Sequence, residues 1–73
     1  MADSVYKIIE LVGTSPDSWE RAAANAVERA AGTLRDLRIA EVAQLDLHLE
    51  DGKVTQYRAR VKLSFKYEES PAG

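Results

Sequence analysis

The sequence contains no cysteine, one histidine and one tryptophan among its 73 residues. Without cysteine, the chain can form neither disulfides nor thiolate metal sites, and its only histidine, His48, cannot by itself form a histidine zinc cluster. A chain this short buries only about 60% of the surface that it exposes when unfolded. Because small domains that lack disulfides and metals usually need oligomerisation, the composition favours assembly with further copies of the chain.

Neither a basic excess nor a long apolar run is present. The net charge is −2, from 10 Lys and Arg against 12 Asp and Glu, whereas dedicated nucleic-acid binders are normally basic. No stretch approaches the roughly 18 apolar residues of a membrane span. The first charged residue is the acidic Asp3, and the apolar run that follows is broken by Lys7 and Glu10, which is not the pattern of a signal peptide. We therefore expect one cytoplasmic domain over residues 1–73, with neither nucleic acid nor membrane as partner.

One amphipathic helix is predicted from Ser15 to about Leu34. Ser15 is a suitable N-cap, Pro16 suits the first helical position, and Gly13 and Thr14 would form the turn before them. Apolar residues recur at the spacing of one buried helical stripe: Trp19, Ala22, Ala23, Ala26, Val27, Ala30, Ala31 and Leu34. The alanines of this stripe are small enough to let a sheet pack closely against the helix.

Three segments have the pattern of β-strands. Residues 4–12 are rich in β-branched side chains, and residues 38–50 and 54–67 alternate between apolar and polar positions. In the second strand the odd positions form the apolar set: Ile39, Ala43, Leu45, Leu47 and Leu49. We expect an ordered core over residues 4–67 and a flexible tail over residues 68–73.

The order of these elements predicts an α+β fold with β-α-β-β topology. A helical crossover makes the first two strands parallel, so the third strand fits between them in a three-stranded sheet of order 1-3-2 that packs on the helix. Asp51 and Gly52 indicate a hairpin. A two-residue turn would mix apolar and polar residues on one face, so we predict a three-residue loop with Gly52 in a left-handed bulge. That loop pairs Leu47 with Tyr57, Asp46 with Arg58, and Gln44 with Arg60.

The order and spacing of several short motifs resemble the dodecin family. They are Val5-Tyr6-Lys7 leading to Glu10-Leu11-Val12-Gly13-Thr14-Ser15, Ala40-Glu41-Val42 at the start of the second strand, and Val61-Lys62-Leu63-Ser64-Phe65 in the third. The resemblance implies a β-α-β-β subunit that assembles into a hollow homododecamer. It also implies a non-enzymatic role, since most dodecins bind flavins for storage or buffering.

The resemblance places the family's flavin site at Ile39 and Arg58. Flavin-binding dodecins have a stacking tryptophan where this chain has Ile39, and a hydrogen-bonding glutamine where it has Arg58. Gln56 does not stand at the position of Arg58, and Trp19 lies in the predicted helix, so neither replaces these residues. Tight flavin binding should be lost, as in the branch of the family that lacks both residues and includes a calcium-binding form.

The predicted ligand pocket comprises Ile39, Arg58, Glu41 and Asp46. Calcium needs about six or more oxygen ligands, and the carboxylates of Glu41, Asp46, Glu50 and Asp51 are candidates by charge alone, so the cofactor and the metal ligands stay open. The preferred prediction is a storage protein with a degenerate flavin pocket that holds a small molecule or a cation. The alternatives are weak flavin storage and a structural assembly without a ligand. No constellation of catalytic residues is present.

Overall fold

The computed structural model describes residues 5–66. They form β1 (Tyr6–Ser15), α1 (Trp19–Ala31), β2 (Leu37–Glu50) and β3 (Lys53–Lys66). This order confirms the predicted β-α-β-β arrangement. The predicted first residue of strand one, the last residue of strand three and the predicted tail over residues 68–73 lie outside the described residues. Within residues 5–66, α1 is neither long nor apolar enough to cross a membrane.

The three strands form one sheet in the order β1-β3-β2, as predicted for this α+β fold. β3 is central and antiparallel to both neighbours. The helix packs on one side of the sheet, which we call the helix face; the other side is called the open face. The subunit measures 56 × 20 × 15 Å. It is therefore elongated, with β1 and β2 as edge strands.

The helix begins three residues later than the sequence pattern predicts. Ser18 is the N-cap: its backbone is extended, with φ −167° and ψ 163°, and its hydroxyl accepts a hydrogen bond from the Arg21 amide at 2.9 Å. The predicted cap, Ser15, is instead the last residue of β1, buried, and its hydroxyl accepts from the Asp17 amide. The prediction of Ser15 and Pro16 as cap and first helical residue was wrong because both serines are chemically suitable caps, and pairing of β1 with β3 continues through Ser15.

Gly13 lies inside β1, opposite Ala59, and not in a turn as predicted. A Cβ atom at this position would overlap the carbonyl oxygen of Ala22 and lie 3.0 Å from the Cβ of Ala26. The strand and the helix therefore approach more closely than any larger residue allows. The predicted role of the alanine stripe in close packing is confirmed here.

The hydrophobic core lies between α1 and the helix face of β1 and β3. Ala59, Val61 and Leu63 of β3 meet the buried helix residues Ala22, Ala26 and Ala30. Partly buried side chains surround them: Ile9, Leu11, Ala23, Val27, Leu34 and Leu37. Most of β2 contributes little to this core, since the helix does not extend over it.

The hairpin has the predicted pairing but not the predicted loop. Leu47 pairs with Tyr57, Asp46 with Arg58, and Gln44 with Arg60. However, Glu50 pairs with Lys53, which leaves a two-residue turn with positive φ at both Asp51 (53°) and Gly52 (75°). These angles are those of the hairpin turn that follows the strand twist best.

A shift of register within the strands, rather than a longer loop, places apolar residues opposite apolar residues on one face of the hairpin. Leu49 pairs with Val54 and His48 with Gln56, so Thr55 is an extra residue on β3. The Thr55 hydroxyl donates to the His48 carbonyl at 3.2 Å and lies 2.8 Å from the Nδ1 atom of His48. His48 is therefore hydrogen-bonded across the hairpin, and these bonds hold the extra residue in place.

Two further register shifts in β2 change which residues share a face. They occur between Leu37 and Ile39 and between Val42 and Gln44. Each extra residue reverses the alternation that follows it. Ile39, which pairs with Ser64, therefore lies on the open face, whereas Leu45 and Leu47 lie on the helix face. The prediction of one continuous apolar face at odd positions from Ile39 was wrong for this reason.

Candidate functional site

All four residues of the predicted pocket lie on the open face of the sheet. Ile39 pairs with Ser64, Glu41 with Lys62, and Asp46 with Arg58 across β2 and β3. Paired residues of neighbouring strands point to the same side. The register shift between Val42 and Gln44 makes this possible, because without it Glu41 and Asp46 would face opposite sides.

Asp46 and Arg58 form a two-pronged ion pair. The guanidinium Nε donates to Oδ1 at 2.7 Å and the terminal nitrogen donates to Oδ2 at 3.0 Å. The two side chains are 43% and 40% exposed, so water screens the pair in the isolated subunit. The hydrogen bonds from Arg58 lower the pKa of Asp46, and the same bonds raise the pKa of Arg58. Both groups are therefore charged at neutral pH.

This pairing fixes what Arg58 can offer to a ligand. A guanidinium carries only donors, and two of its N–H groups already bind Asp46. A glutamine at this position would present both a donor and an acceptor to the edge of a planar heterocycle. Ile39, 57% exposed on the same face, offers apolar contact but no aromatic ring. The two side chains do not fit the requirements of a stacked flavin.

Trp19 supports the ion pair from the other side of the sheet. Its indole N–H donates to the main-chain carbonyl of Asp46 at 3.1 Å. Its ring packs edge-to-face on Tyr57, with centroids 5.2 Å apart and planes at 78°. Since Tyr57 precedes Arg58 along β3, the first residue of the helix contacts both strands that carry the pair. Trp19, which its spacing assigns to the apolar helical stripe, thus packs against the sheet.

A second row of charges crosses the open face beside the pair. Lys62 pairs with Glu10 of β1 on one side and with Glu41 of β2 on the other. Arg60, between the two rows, pairs with the uncharged Val12 and Gln44. The open face thus has a basic central strand, with carboxylates on both edge strands.

The four predicted calcium candidates do not come together within one subunit. Asp46 is paired with Arg58, Glu41 lies beside Lys62, and Glu50 and Asp51 lie at the hairpin turn. Among residues 5–66, no group of three Asp, Glu, His or Cys side chains is arranged to hold a metal ion. These four carboxylates therefore do not form one calcium site within a single subunit.

A separate open groove of about 780 Å³ lies between β1 and α1. Leu11, Gly13 and Thr14 form its strand side, and Asn25, Glu28 and Arg29 are on its helix side. Asn25 donates to the Thr14 carbonyl at 3.0 Å, and the Arg21–Glu28 ion pair lies along the same helix. None of the predicted pocket residues lines this groove.

Sequence reasoning missed the hydrogen bond between Trp19 and Asp46. The tryptophan was assigned to the apolar helical stripe, and a bond to a main-chain carbonyl 27 residues away leaves no periodic signal. The open-face position of Ile39 was also missed, because register shifts depend on strand pairing. The Asp46–Arg58 pairing was predictable from the hairpin alone.

Comparison with known proteins identifies relatives over nearly the whole chain. The dodecin family profile matches residues 5–68. Calcium dodecin from Mycobacterium tuberculosis is 50% identical over 64 residues, covering 86% of this chain and 89% of the relative. Dodecin from Thermus thermophilus is 38% identical over 66 residues, covering 90% of this chain and 96% of that protein.

Solved structures share the same fold. Dodecin from Streptomyces coelicolor superposes with a TM-score of 0.87 at 46% identity, covering 96% of this chain and 100% of the other. The calcium-chelating antigen calcium dodecin from Mycobacterium tuberculosis, described as having a novel calcium-binding site, gives a TM-score of 0.79 at 45% identity, with the same coverage. These similarities extend over the whole sheet and helix.

Proposed function

The chain belongs to the dodecin family, and on this basis we propose that it is a non-enzymatic homododecamer that binds a small ligand or cation in place of a tightly stacked flavin. The observation that carries the proposal is the Asp46–Arg58 pair, which engages both oxygens of the carboxylate and two nitrogens of the guanidinium. The resemblance assigns to Arg58 the position where the family's flavin-binding members carry a glutamine. A cytoplasmic location stays a prediction.

Exposed apolar side chains support assembly. On the helix face, Val42, Leu45 and Leu47 of β2 are 50%, 48% and 41% exposed. Leu49 and Val54 extend this strip to the hairpin turn. A lone subunit would leave these residues and the open edge of β2 in water, which is unfavourable for a soluble monomer. A neighbouring copy of the chain would bury both.

We propose calcium as the first cation to test. The open face carries carboxylates on both edge strands, at Glu10, Glu41 and Asp46. Carboxylate oxygens are hard ligands that suit calcium, and copies related by symmetry would multiply their number. The 50% identity with calcium dodecin favours the same ion class. The proposed metal site is therefore shared between subunits, with contributions from Glu41 and from the carboxylate lone pairs of Asp46 that Arg58 leaves free.

The test combines native mass spectrometry with two titrations of the same protein sample. We expect the mass of twelve subunits, heat on titration with CaCl₂, and no loss of FMN fluorescence when the protein is added. A MgCl₂ titration is the control, since magnesium demands a smaller and stricter octahedral site. A monomeric mass, or no binding of CaCl₂ by the dodecamer, would overturn the corresponding part of the proposal.

Weak flavin storage is the second candidate function. Ile39 still offers an apolar surface on the open face, beside Ser64. A stacked aromatic ring contributes roughly 0.5–1.5 kcal/mol to the binding free energy beyond the effect of its buried area. Ile39 cannot supply this contribution. Quenching of FMN fluorescence at micromolar protein would favour this function over cation binding.

A further inference from the structure

We infer that Trp19 is a positioning residue for the Asp46–Arg58 pair, acting through the backbone of β2. The effect of Trp19 on calcium binding rests on the proposed function, whereas its effect on the geometry of the pair does not. The indole N–H bonds to the Asp46 carbonyl, while the Asp46 carboxylate bonds to Arg58. One residue of β2 is thus held through its main chain by the helix and through its side chain by β3.

The main-chain bond matters because β2 is an edge strand with little cover of its own. Register shifts lie on both sides of Asp46, after Val42 and after His48. Such shifts interrupt the regular ladder and bend a strand locally. Between them, the main chain of Asp46 is held by its pairing with β3 and by the Trp19 bond. The Trp19 bond supplies a fixed point there.

The ring of Trp19 is itself held in place. Its edge-to-face contact with Tyr57 connects it to β3, and the Ser18 cap fixes the first turn of the helix. Trp19 therefore links the start of α1, the centre of β3 and the edge strand β2. Movement of the helix start would shift the Asp46 carboxylate relative to Arg58, so the indole sets the geometry of the pair.

A thermal double-mutant cycle tests this coupling without any ligand. The variants are Trp19→Phe, which keeps a ring on Tyr57 but removes the N–H, Asp46→Asn, and the double variant. The Trp19 ring and the Asp46 side chain lie on opposite faces, so a merely structural tryptophan would give additive losses. We expect the double variant to melt at least about 3 °C above the additive value. Additive losses would overturn the inference.

Asn25→Ala is the matched control. Asn25 also donates from α1 to a main-chain carbonyl, but to Thr14 of β1 rather than to β2. Combined with Asp46→Asn, it should lower the melting temperature additively. If the Asn25 cycle is as non-additive as the Trp19 cycle, the effect is a general loosening of the helix, and the inference is wrong.

Calcium titration then connects the geometry to binding. Loss of one hydrogen bond should weaken CaCl₂ binding by Trp19→Phe roughly three- to tenfold, at unchanged dodecamer mass. Asn25→Ala should bind like the wild type. If the wild type binds no calcium, the proposed calcium binding is wrong. The thermal cycle still tests the role of Trp19 in that case, because it needs no ligand. If the wild type binds and Trp19→Phe binds equally well, the inference fails alone.

Discussion

Gly13 and Ala22 are in such close contact that the position of Gly13 has no room for a side chain. A Cβ atom on Gly13 would overlap the Ala22 carbonyl oxygen, which is part of the helix backbone and cannot rotate away. Ala59 faces Gly13 across the sheet, and Ala26 lies one helical turn beyond Ala22. The smallest residues of the chain therefore define the distance between helix and sheet.

Gly13→Ala should destabilise the subunit markedly. The added methyl group must push helix and strand apart, which typically costs about 1–3 kcal/mol. For a domain of this size, each kcal/mol lowers the melting temperature by about 4–8 °C. Differential scanning calorimetry measures the change.

Gly32→Ala is the matched control for this substitution. Gly32 has φ −72° and ψ −18°, which any residue adopts, and a Cβ atom there would lie 3.4 Å from the Arg29 carbonyl. The same methyl group should be neutral or stabilise the protein by about 0.4–1 kcal/mol, since it restricts the unfolded chain. Equal losses in both variants would contradict the close-contact explanation.

Ser18→Ala should cost more stability than an ordinary surface substitution. The Ser18 hydroxyl accepts from the Arg21 amide, and losing an N-cap costs about 0.5–2 kcal/mol. Thermal unfolding followed by circular dichroism measures the difference. An unchanged melting temperature for Ser18→Ala would contradict the assignment of the cap.

The Asp46–Arg58 pair predicts a defined pH dependence. Arg58 holds the pKa of Asp46 below its ordinary value of 3.8, so the folded state favours the ionised carboxylate. The pair's contribution is present above that ordinary value and is lost as the pH falls through the lower, folded pKa. Asp46→Asn should therefore melt below the wild type at pH 7, and the difference should vanish in stronger acid. A difference that persists or grows in acid would contradict this assignment.

If Ile39 and Arg58 stand at the flavin-site positions that the resemblance implies, restoring the family's residues there should create flavin binding. Ile39→Trp together with Arg58→Gln supplies the stacking ring and the mixed donor and acceptor that the family's flavin-binding members carry. We expect quenching of FMN fluorescence by this variant but not by the wild type. Ile8→Trp with Arg58→Gln is the control, since Ile8 pairs with the same Ser64 from the opposite edge strand. Equal quenching by both variants would contradict the assignment of the pocket to Ile39.

Leu45→Glu should weaken the assembly rather than the subunit. Leu45 is 48% exposed on the part of β2 that the helix does not cover. A charge there stays solvated in a lone subunit, but it would be buried in an interface, where an unpaired charge is costly. Native mass spectrometry should show subunits or small oligomers. Lys53→Glu, at the hairpin turn, is the control and should leave the dodecamer intact.

The sequence by itself determined the local elements and the order of the strands. Period-two alternation in residues 38–50 and 54–67, and the alanine stripe of the helix, depend only on neighbours along the chain. The hairpin pairing of Asp46 with Arg58 followed from matching one apolar face to another. The resemblance to the dodecins adds the prediction that Ile39 and Arg58 stand at the positions of the family's flavin site.

Only the tertiary structure decided the details that set the site. Ser15 and Ser18 are both chemically suitable N-caps. Ser18 caps the helix because the pairing of β1 with β3 continues through Ser15. The register shifts that bring Ile39 and Asp46 to one face depend on how the strands meet, which periodicity does not record. The bond from Trp19 to the Asp46 carbonyl joins elements that are distant along the chain. Such contacts arise from packing in three dimensions, so they leave no local pattern in the sequence.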